Sequence, residues 1–246
     1  MRFKPQPRAS LGIVYLCLGE LYAEFAERSL WHLRRLGYSG PVRIISDIDL
    51  SAFRLNGCEF IEVPPAADTF SSRHYKTQIN KFGWETTLFL DADAIPVAPL
   101  GHIWRELRFA DLCLSMDLHP TVEDLVTRSI RDRDRREVEY RHMTSLGLAG
   151  HPFFSSGVML FRRTDEIEYL FSVWHEEWNL FQDEDQLALA RAIHRTNLHV
   201  HKLAPRWNAR LSNYGSVETA RLAGVRILHL RPALEALPLE LTRASA

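Results

Sequence analysis

Two carboxylates separated by one small residue follow an apolar run at 88–90. Asp91 and Asp93 flank Ala92 in this motif. Residues at i and i+2 point to the same side of an extended chain, and two anions so close together favour a bound cation. Hard carboxylate oxygens suit Mg²⁺ or Mn²⁺, which complete their shells with substrate phosphates. A structural alternative is that Asp93 caps a turn before Pro96 while Asp91 is merely exposed.

Two kinds of reaction use such a pair of carboxylates. In haloacid-dehalogenase-like phosphatases the first Asp is a phosphoryl-accepting nucleophile on the first strand, and Thr or Val stands two residues after the second Asp. Here the pair follows the fourth predicted strand and Ile95 occupies the later position, which disfavours the phosphatase. In the other reaction, the metal holds the pyrophosphate of a nucleotide-diphospho-sugar.

The elements that must position this pair alternate between strands and helices. Apolar runs predict strands at 11–18, 42–46, 60–63, 86–90, 111–116, 158–161, 198–203 and 225–230. Helical spacing predicts helices at 21–36, 71–82, 166–178 and 184–193. Strands that alternate with helices predict an α/β fold with a mostly parallel sheet. Ligands of such sheets bind at the carboxyl ends of the strands, where Asp91 and Asp93 stand.

The composition is that of a globular protein. The 246 residues include 30 basic and 31 acidic side chains, giving a net charge of −1, and 46% of the residues are apolar. These values exclude a disordered chain and a nucleic-acid binder that relies on bulk positive charge. The cysteines Cys17, Cys58 and Cys113 are far apart in apolar runs, which predicts buried thiols and a cytoplasmic location. No transmembrane segment is predicted.

The segment 127–141 is densely charged, with few apolar residues. One interpretation is a solvated, salt-bridged helix with little core contact. The other is a mobile lid over a site.

Several segments together resemble the glycosyltransferases of the GT-A fold, most closely family 8 and glycogenin-like proteins. The resemblance is carried, in chain order, by Ile13-Val14-Tyr15-Leu16-Cys17 through Tyr22, by Lys76, by the pair Asp91 and Asp93, by Phe153-Phe154-Ser155-Ser156-Gly157, by Gln182-Asp183-Glu184-Asp185-Gln186, by Leu203-Ala204-Pro205-Arg206-Trp207-Asn208 and by Ile227-Leu228-His229. The resemblance implies one GT-A-like domain over 1–246. Within it, 11–116 would be a nucleotide-binding half, 119–143 a charged helical insertion and 144–235 an acceptor-binding, metal-completing half.

The activity implied is metal-dependent transfer of a sugar from a nucleotide-diphospho-sugar, with UDP as the nucleotide, to a hydroxyl acceptor. The acceptor would be a glycan, a lipid-linked sugar or a protein, and the resemblance favours retention of the anomeric configuration. The oligomeric state is left open. The rivals are a metal-dependent phosphatase or nucleotidyltransferase and a non-catalytic GT-A-like nucleotide-binding or scaffold protein.

The resemblance also implies the site residues. The metal ligands would be Asp91, Asp93 and His229, and a neutral imidazole beside two carboxylates suits Mn²⁺ better than Mg²⁺. The donor-binding residues would be Leu16, Cys17, Tyr22 (stacked on the base), Arg73, Lys76, Ala92, Ser156 and Arg231. Asp183 would orient the acceptor hydroxyl and Glu184 would face the reacting sugar. For these two acids, capping of a helix N-terminus is the alternative.

Three positions depart from the family's pattern. Arg231 stands near the place of a pyrophosphate-binding Lys that follows the metal-ligating His. Ser155 stands where the family has Asn. A Glu at 184 replaces the Gln that retaining relatives often carry, which leaves a base or a nucleophile open as its role.

Overall fold

A computed structural model describes residues 11–65, 72–128 and 133–230, and the side chains of 126–136 are not described. The strands are β1 Leu11–Cys17, β2 Val42–Ser46, β3 Glu59–Glu62, β4 Thr86–Asp91, β5 Ala94–Pro96, β6 Leu112–Thr121, β7 Pro152–Arg162, β8 Val200–Leu203, β9 Ala209–Arg210 and β10 Ile227–His229. The α-helices are α1 Glu20–Arg35, α2 Arg73–Lys76, α3 Val122–Arg128, α4 Arg133–Ser145, α5 Asp165–Phe181, α6 Asp185–Thr196 and α7 Val217–Leu222.

Seven strands form one sheet in the order β3-β2-β1-β4-β7-β6-β8. Strand β7 runs antiparallel to both of its neighbours, and every other pair is parallel. Side chains alternate between the two faces of a strand. In β1, the side chains of Ile13 and Tyr15 therefore lie on one face of the sheet and pack with α1. The side chain of Val14 lies on the other face and packs with α5 and α6. The predicted α/β fold with a mostly parallel sheet is confirmed.

A second, three-stranded sheet has the order β5-β10-β9. Two residues separate β4 from β5. Strand β5 pairs antiparallel with β10, so that Ala94 is opposite His229. The Leu230 N–H donates to the carbonyl of Asp93 at 3.1 Å. The strand predicted at 225–230 contains β10. Strands β5 and β9 were not predicted, because they have only three and two residues.

The helix predicted at 71–82 is interrupted. Helix α2 ends at Lys76, and a separate 3₁₀ helix occupies Ile79–Phe82. The buried side chains of Thr77 and Asn80 bond to His175 at 2.8 Å and to Glu168 at 2.7 Å, both on α5. These tertiary contacts, which leave no local pattern, accompany the break.

Cys17 and Cys113 are buried free thiols, as predicted, and Cys58 is half-buried. Among the described helices, none combines the length and the apolar character that crossing a membrane requires.

The charged segment at 127–141 has one described side chain, Glu139, that is buried against the rest of the protein. Val138 on α4 is exposed, but the next residue, Glu139, is 1% exposed. Its carboxylate accepts a hydrogen bond from the fully buried Arg191 of α6 at 2.6 Å. Arg191 also donates to Glu177 of α5 at 2.9 Å. One face of α4 is therefore anchored to α5 and α6 through this buried cluster of Glu139, Glu177 and Arg191, and the expectation of little core contact is wrong for that face.

The buried cluster predicts a pH-dependent stability. Burial raises the pKa of Glu139 from 4.5 to about 7, although Arg191 opposes the rise. The folded protein thus holds this proton more tightly than the unfolded chain, so the stabilisation is complete below pH 4.5 and is lost as the pH rises through about 7. Between these limits we expect the unfolding free energy of the wild type to fall by about 3 kcal/mol relative to that of Glu139→Gln. Urea denaturation from pH 4.5 to 8 measures this difference.

The control is Glu137→Gln, because Glu137 lies on the same helix with half of its side chain exposed. Its stability profile should run parallel to that of the wild type. A parallel profile for Glu139→Gln would contradict the expectation.

Candidate active site

The three predicted metal ligands converge at the carboxyl end of β4. One ligand atom from each of Asp91, Asp93 and His229 lies within 4.8 Å of the other two. His229 Nε2 is 3.1 Å from Asp93 Oδ1 and 3.8 Å from Asp91 Oδ2. Asp91 ends β4, and the pairing of β5 with β10 carries His229 back to the turn that holds Asp93.

Strand β7 forms the wall behind this group. Val158 pairs with Leu90, so Gly157 lies beside Asp91. A Cβ atom at Gly157 would be 2.4 Å from His229 Cε1 and 2.9 Å from Asp91 Oδ2. Glycine therefore leaves the space in which the imidazole and the carboxylate meet.

Lys76 of α2 contacts the first carboxylate. Its Nζ lies 2.8 Å from Asp91 Oδ1 and 3.7 Å from Asp185 Oδ2. Burial by itself lowers the pKa of Lys76, but the two carboxylates outweigh burial and raise it. The side chain is thus a stable cation next to the candidate metal site.

Arg73, one turn before Lys76, faces the acidic run that precedes α6. Its guanidinium lies 3.3 Å from Glu184 Oε2 and 3.3 Å from Asp185 Oδ1, and it also donates to the carbonyl of Asp183. Arg73 therefore contacts the acidic turn directly, whereas the resemblance implied that it binds the donor.

Asp185 was not predicted as a site residue, yet it links both cations to β7. Its Oδ2 accepts a hydrogen bond from Ser156 Oγ at 2.5 Å. Burial raises the pKa of Asp185, but Lys76 and Arg73 overcome this effect and lower it. The signal available in the sequence was its place in the run 183–185, which carries three consecutive acids.

The two predicted catalytic acids precede α6. Glu184 is the N-cap residue, but its side chain forms no capping hydrogen bond within the described chain. Asp183 is 5% exposed, and its Oδ2 has no hydrogen-bond partner among the described residues. The described residues therefore show no helix-capping hydrogen bond from Glu184 and none to Oδ2 of Asp183.

The remaining predicted residues lie around the same edge of the sheet. Leu16 pairs with Asp91 in the register of β1 and β4, and Cys17 ends β1. Tyr22 is in the first turn of α1, half-buried against the core. Ala92 is buried between the two carboxylates, and Arg231 lies outside the described residues.

The electrostatics of the group suit a cation. Burial lowers the pKa of His229, but the carboxylates of Asp93 and Asp91 together outweigh burial and raise it. Burial raises the pKa of Asp93, but His229 and Lys76 together outweigh burial and lower it. Two carboxylates and an imidazole form a donor set that fits Mn²⁺ or Mg²⁺, and Gly157 leaves the room that these ligands need.

Comparisons with solved structures match nearly the whole chain. Mouse xyloside xylosyltransferase 1 is 14% identical, with 92% of this chain and 98% of that chain covered and a TM-score of 0.57. The galactosyltransferase LgtC, solved with donor and acceptor sugar analogues, is 19% identical, with 94% and 93% covered and a TM-score of 0.59. The bifunctional glycosyltransferase WbbM is 14% identical, with 93% of this chain but 47% of that chain covered and a TM-score of 0.61.

No family model and no curated protein matches the sequence. At 14–19% identity, the structural likeness establishes the fold alone. The chain has the GT-A-type fold that its sequence predicts, and the group of Asp91, Asp93 and His229 lies at the carboxyl end of a central strand of that fold.

Proposed function

We propose that this protein is a metal-dependent glycosyltransferase that moves a sugar from a nucleotide-diphospho-sugar, with UDP as the nucleotide, to a hydroxyl acceptor. The observation that carries the proposal is the convergence of Asp91, Asp93 and His229 at the strand edge of a GT-A-type fold. The three solved neighbours are glycosyltransferases by their titles, and one contains donor and acceptor sugar analogues. This supports the same class of reaction here.

The three ligands would hold Mn²⁺ or Mg²⁺, which supplies a Lewis acid that neutralises charge on the departing diphosphate. Lys76 adds a second positive charge within 3 Å of Asp91, and a diphosphate bound there would lie between cations. Arg73 pairs with the acidic turn at 183–185, so we assign to it the orientation of that turn. Arg231 remains a candidate for a further phosphate contact.

Asp183 and Glu184 are the proposed catalytic acids. The unpartnered Oδ2 of Asp183 is an acceptor for a hydroxyl group, and a buried carboxylate oxygen gains most from such a donor. Glu184 is held by Arg73 at 3.3 Å, which keeps a carboxylate near the position proposed for the sugar. Leu16, Cys17, Tyr22, Ala92 and Ser156 remain the proposed contacts to the donor. We include retention of the anomeric configuration in the proposal because the resemblance to family 8 favours it.

Calorimetry with UDP tests the donor site. We expect the wild type to bind UDP at least roughly tenfold more tightly with Mn²⁺ than without it, equal to about 1.4 kcal/mol. In Asp93→Ala this gain should disappear, because one of three ligands is removed. Asp165→Ala, which changes an exposed aspartate at the start of α5, should keep the full gain.

Equal UDP binding with and without Mn²⁺ in the wild type would contradict metal dependence. Absence of UDP binding in both conditions would remove UDP as the donor nucleotide. A screen of other nucleotide sugars, read by their slow hydrolysis, would then decide between another donor and the scaffold alternative.

A further inference from the structure

The Asn208 side chain lies behind the imidazole of His229. Its Oδ1 is 2.9 Å from His229 Nδ1, on the side of the ring away from the carboxylates. Its Nδ2 donates to Ser155 Oγ at 3.1 Å. The same serine oxygen accepts the Gly157 N–H at 3.3 Å. These contacts connect β7 to His229 through one amide.

The orientation of this amide decides which imidazole nitrogen carries the proton. With Nδ2 toward Ser155, the carbonyl oxygen faces His229 and can only accept, so Nδ1 bears the hydrogen. Without a cation, Nε2–H donates to Asp93 Oδ1 at 3.1 Å. A bound cation would replace that hydrogen and take the Nε2 lone pair, because Nδ1 keeps its own hydrogen toward Asn208. A reversed amide would require hydrogen on Nε2, which blocks the atom that faces the two carboxylates.

The backbone around Asn208 holds the amide in place. Asn208 follows a 3₁₀ helix whose Trp207 is 1% exposed, and it directly precedes β9. Strand β9 is parallel to β10, and Arg210 is opposite His229. The position of Asn208 relative to the imidazole is therefore set by a buried ring and by strand pairing.

We propose that Asn208, held by Ser155, is a positioning residue that fixes the Nδ1–H tautomer of His229 and so directs Nε2 toward Asp91 and Asp93. The consequence for metal affinity rests on the function proposed above, whereas the tautomer does not. A partner that donates or accepts behind a metal-ligating histidine sets ring orientation and ligand basicity, and its loss commonly weakens metal binding by 10- to 100-fold.

Titration with Mn²⁺, followed by electron paramagnetic resonance of the free ion, tests the metal part. We expect Asn208→Leu to bind Mn²⁺ about 10- to 100-fold more weakly than the wild type. Asn208→Asp keeps an acceptor oxygen and should remain within a few-fold of the wild type. Asn179→Leu, an exposed change on α5, is the control. Equal binding by Asn208→Leu and the wild type, or equal losses in the Leu and Asp variants, would overturn this part.

The hydrogen on each ring nitrogen is measured without metal by ¹⁵N NMR of histidine-labelled protein. The signals of His229 are assigned by their absence in His229→Gln. We expect hydrogen on Nδ1 in the wild type and its loss from Nδ1 in Asn208→Leu, where the carboxylate of Asp93 keeps hydrogen on Nε2. A wild type without hydrogen on Nδ1 would overturn the proposal. A wild type that binds no Mn²⁺ but has the Nδ1–H tautomer would contradict the proposed function instead.

Discussion

Replacing Gly157 by alanine is expected to weaken metal-dependent binding of the nucleotide on the order of 100-fold. The added Cβ would lie 2.4 Å from His229 Cε1 and 2.9 Å from Asp91 Oδ2. Neither group can retreat freely, because Asn208 lies behind the imidazole and Lys76 contacts the carboxylate. The backbone of β7 is also held, since the strand is paired on both sides.

Overpacking of this kind costs about 1–3 kcal/mol. Here the displaced atoms belong to two of the three candidate ligands, so we expect the affinity for Mn²⁺ to fall on the order of 100-fold, the upper end of ligand-shell effects. Calorimetry with Mn²⁺ and UDP measures the loss. Gly101→Ala is the matched control, because no described heavy atom lies within 4 Å of the added Cβ. If both variants bind like the wild type, the three residues do not form the metal site.

The second large effect concerns stability. We expect Arg191→Ala to lower the free energy of unfolding at pH 8 by about 3–5 kcal/mol, because it leaves the carboxylate of Glu139 buried without its cation and leaves Glu177 only the half-exposed Arg195. The Arg191 guanidinium also donates to the carbonyl of Glu177 at 2.9 Å and lies 4.8 Å from the centre of the Phe181 ring. Urea denaturation, followed by circular dichroism, measures the change.

Arg195→Ala on the same helix is the matched control. Arg195 pairs with Glu176 at 3.1 Å and reaches Glu177 of the buried cluster at 3.3 Å, but half of its side chain is exposed. Because exposed cations contribute about 0–1 kcal/mol to such pairs, its loss should be much the smaller. If the two variants lose equal free energy of unfolding, burial does not make the ion pairs of Arg191 more stabilising than those of Arg195. The comparison also tests whether α4 is anchored, since Arg191 is the cation that joins Glu139 of α4 to α5 and α6.

The local pattern of the sequence determined the main sheet and one half of the candidate site. Strand β1 is an apolar run whose alternate side chains enter two cores, and such runs are visible in a window of a few residues. Asp91 and Asp93 were predicted as a pair because their spacing and the preceding strand are local features. His229, by contrast, was placed only by its resemblance to a family pattern.

Only the tertiary structure decided how the other half of the site is built. His229 and Asp93 are 136 positions apart, and they meet because two three-residue strands, β5 and β10, pair in one register. Asn208 and Gly157 had no local signal for their roles, since an amide behind an imidazole and a missing Cβ acquire meaning only when distant strands come together. Asp185 and Arg73 likewise acquired their partners through the approach of α2 to α6. Such contacts depend on loop closure and packing, which no short window of sequence contains.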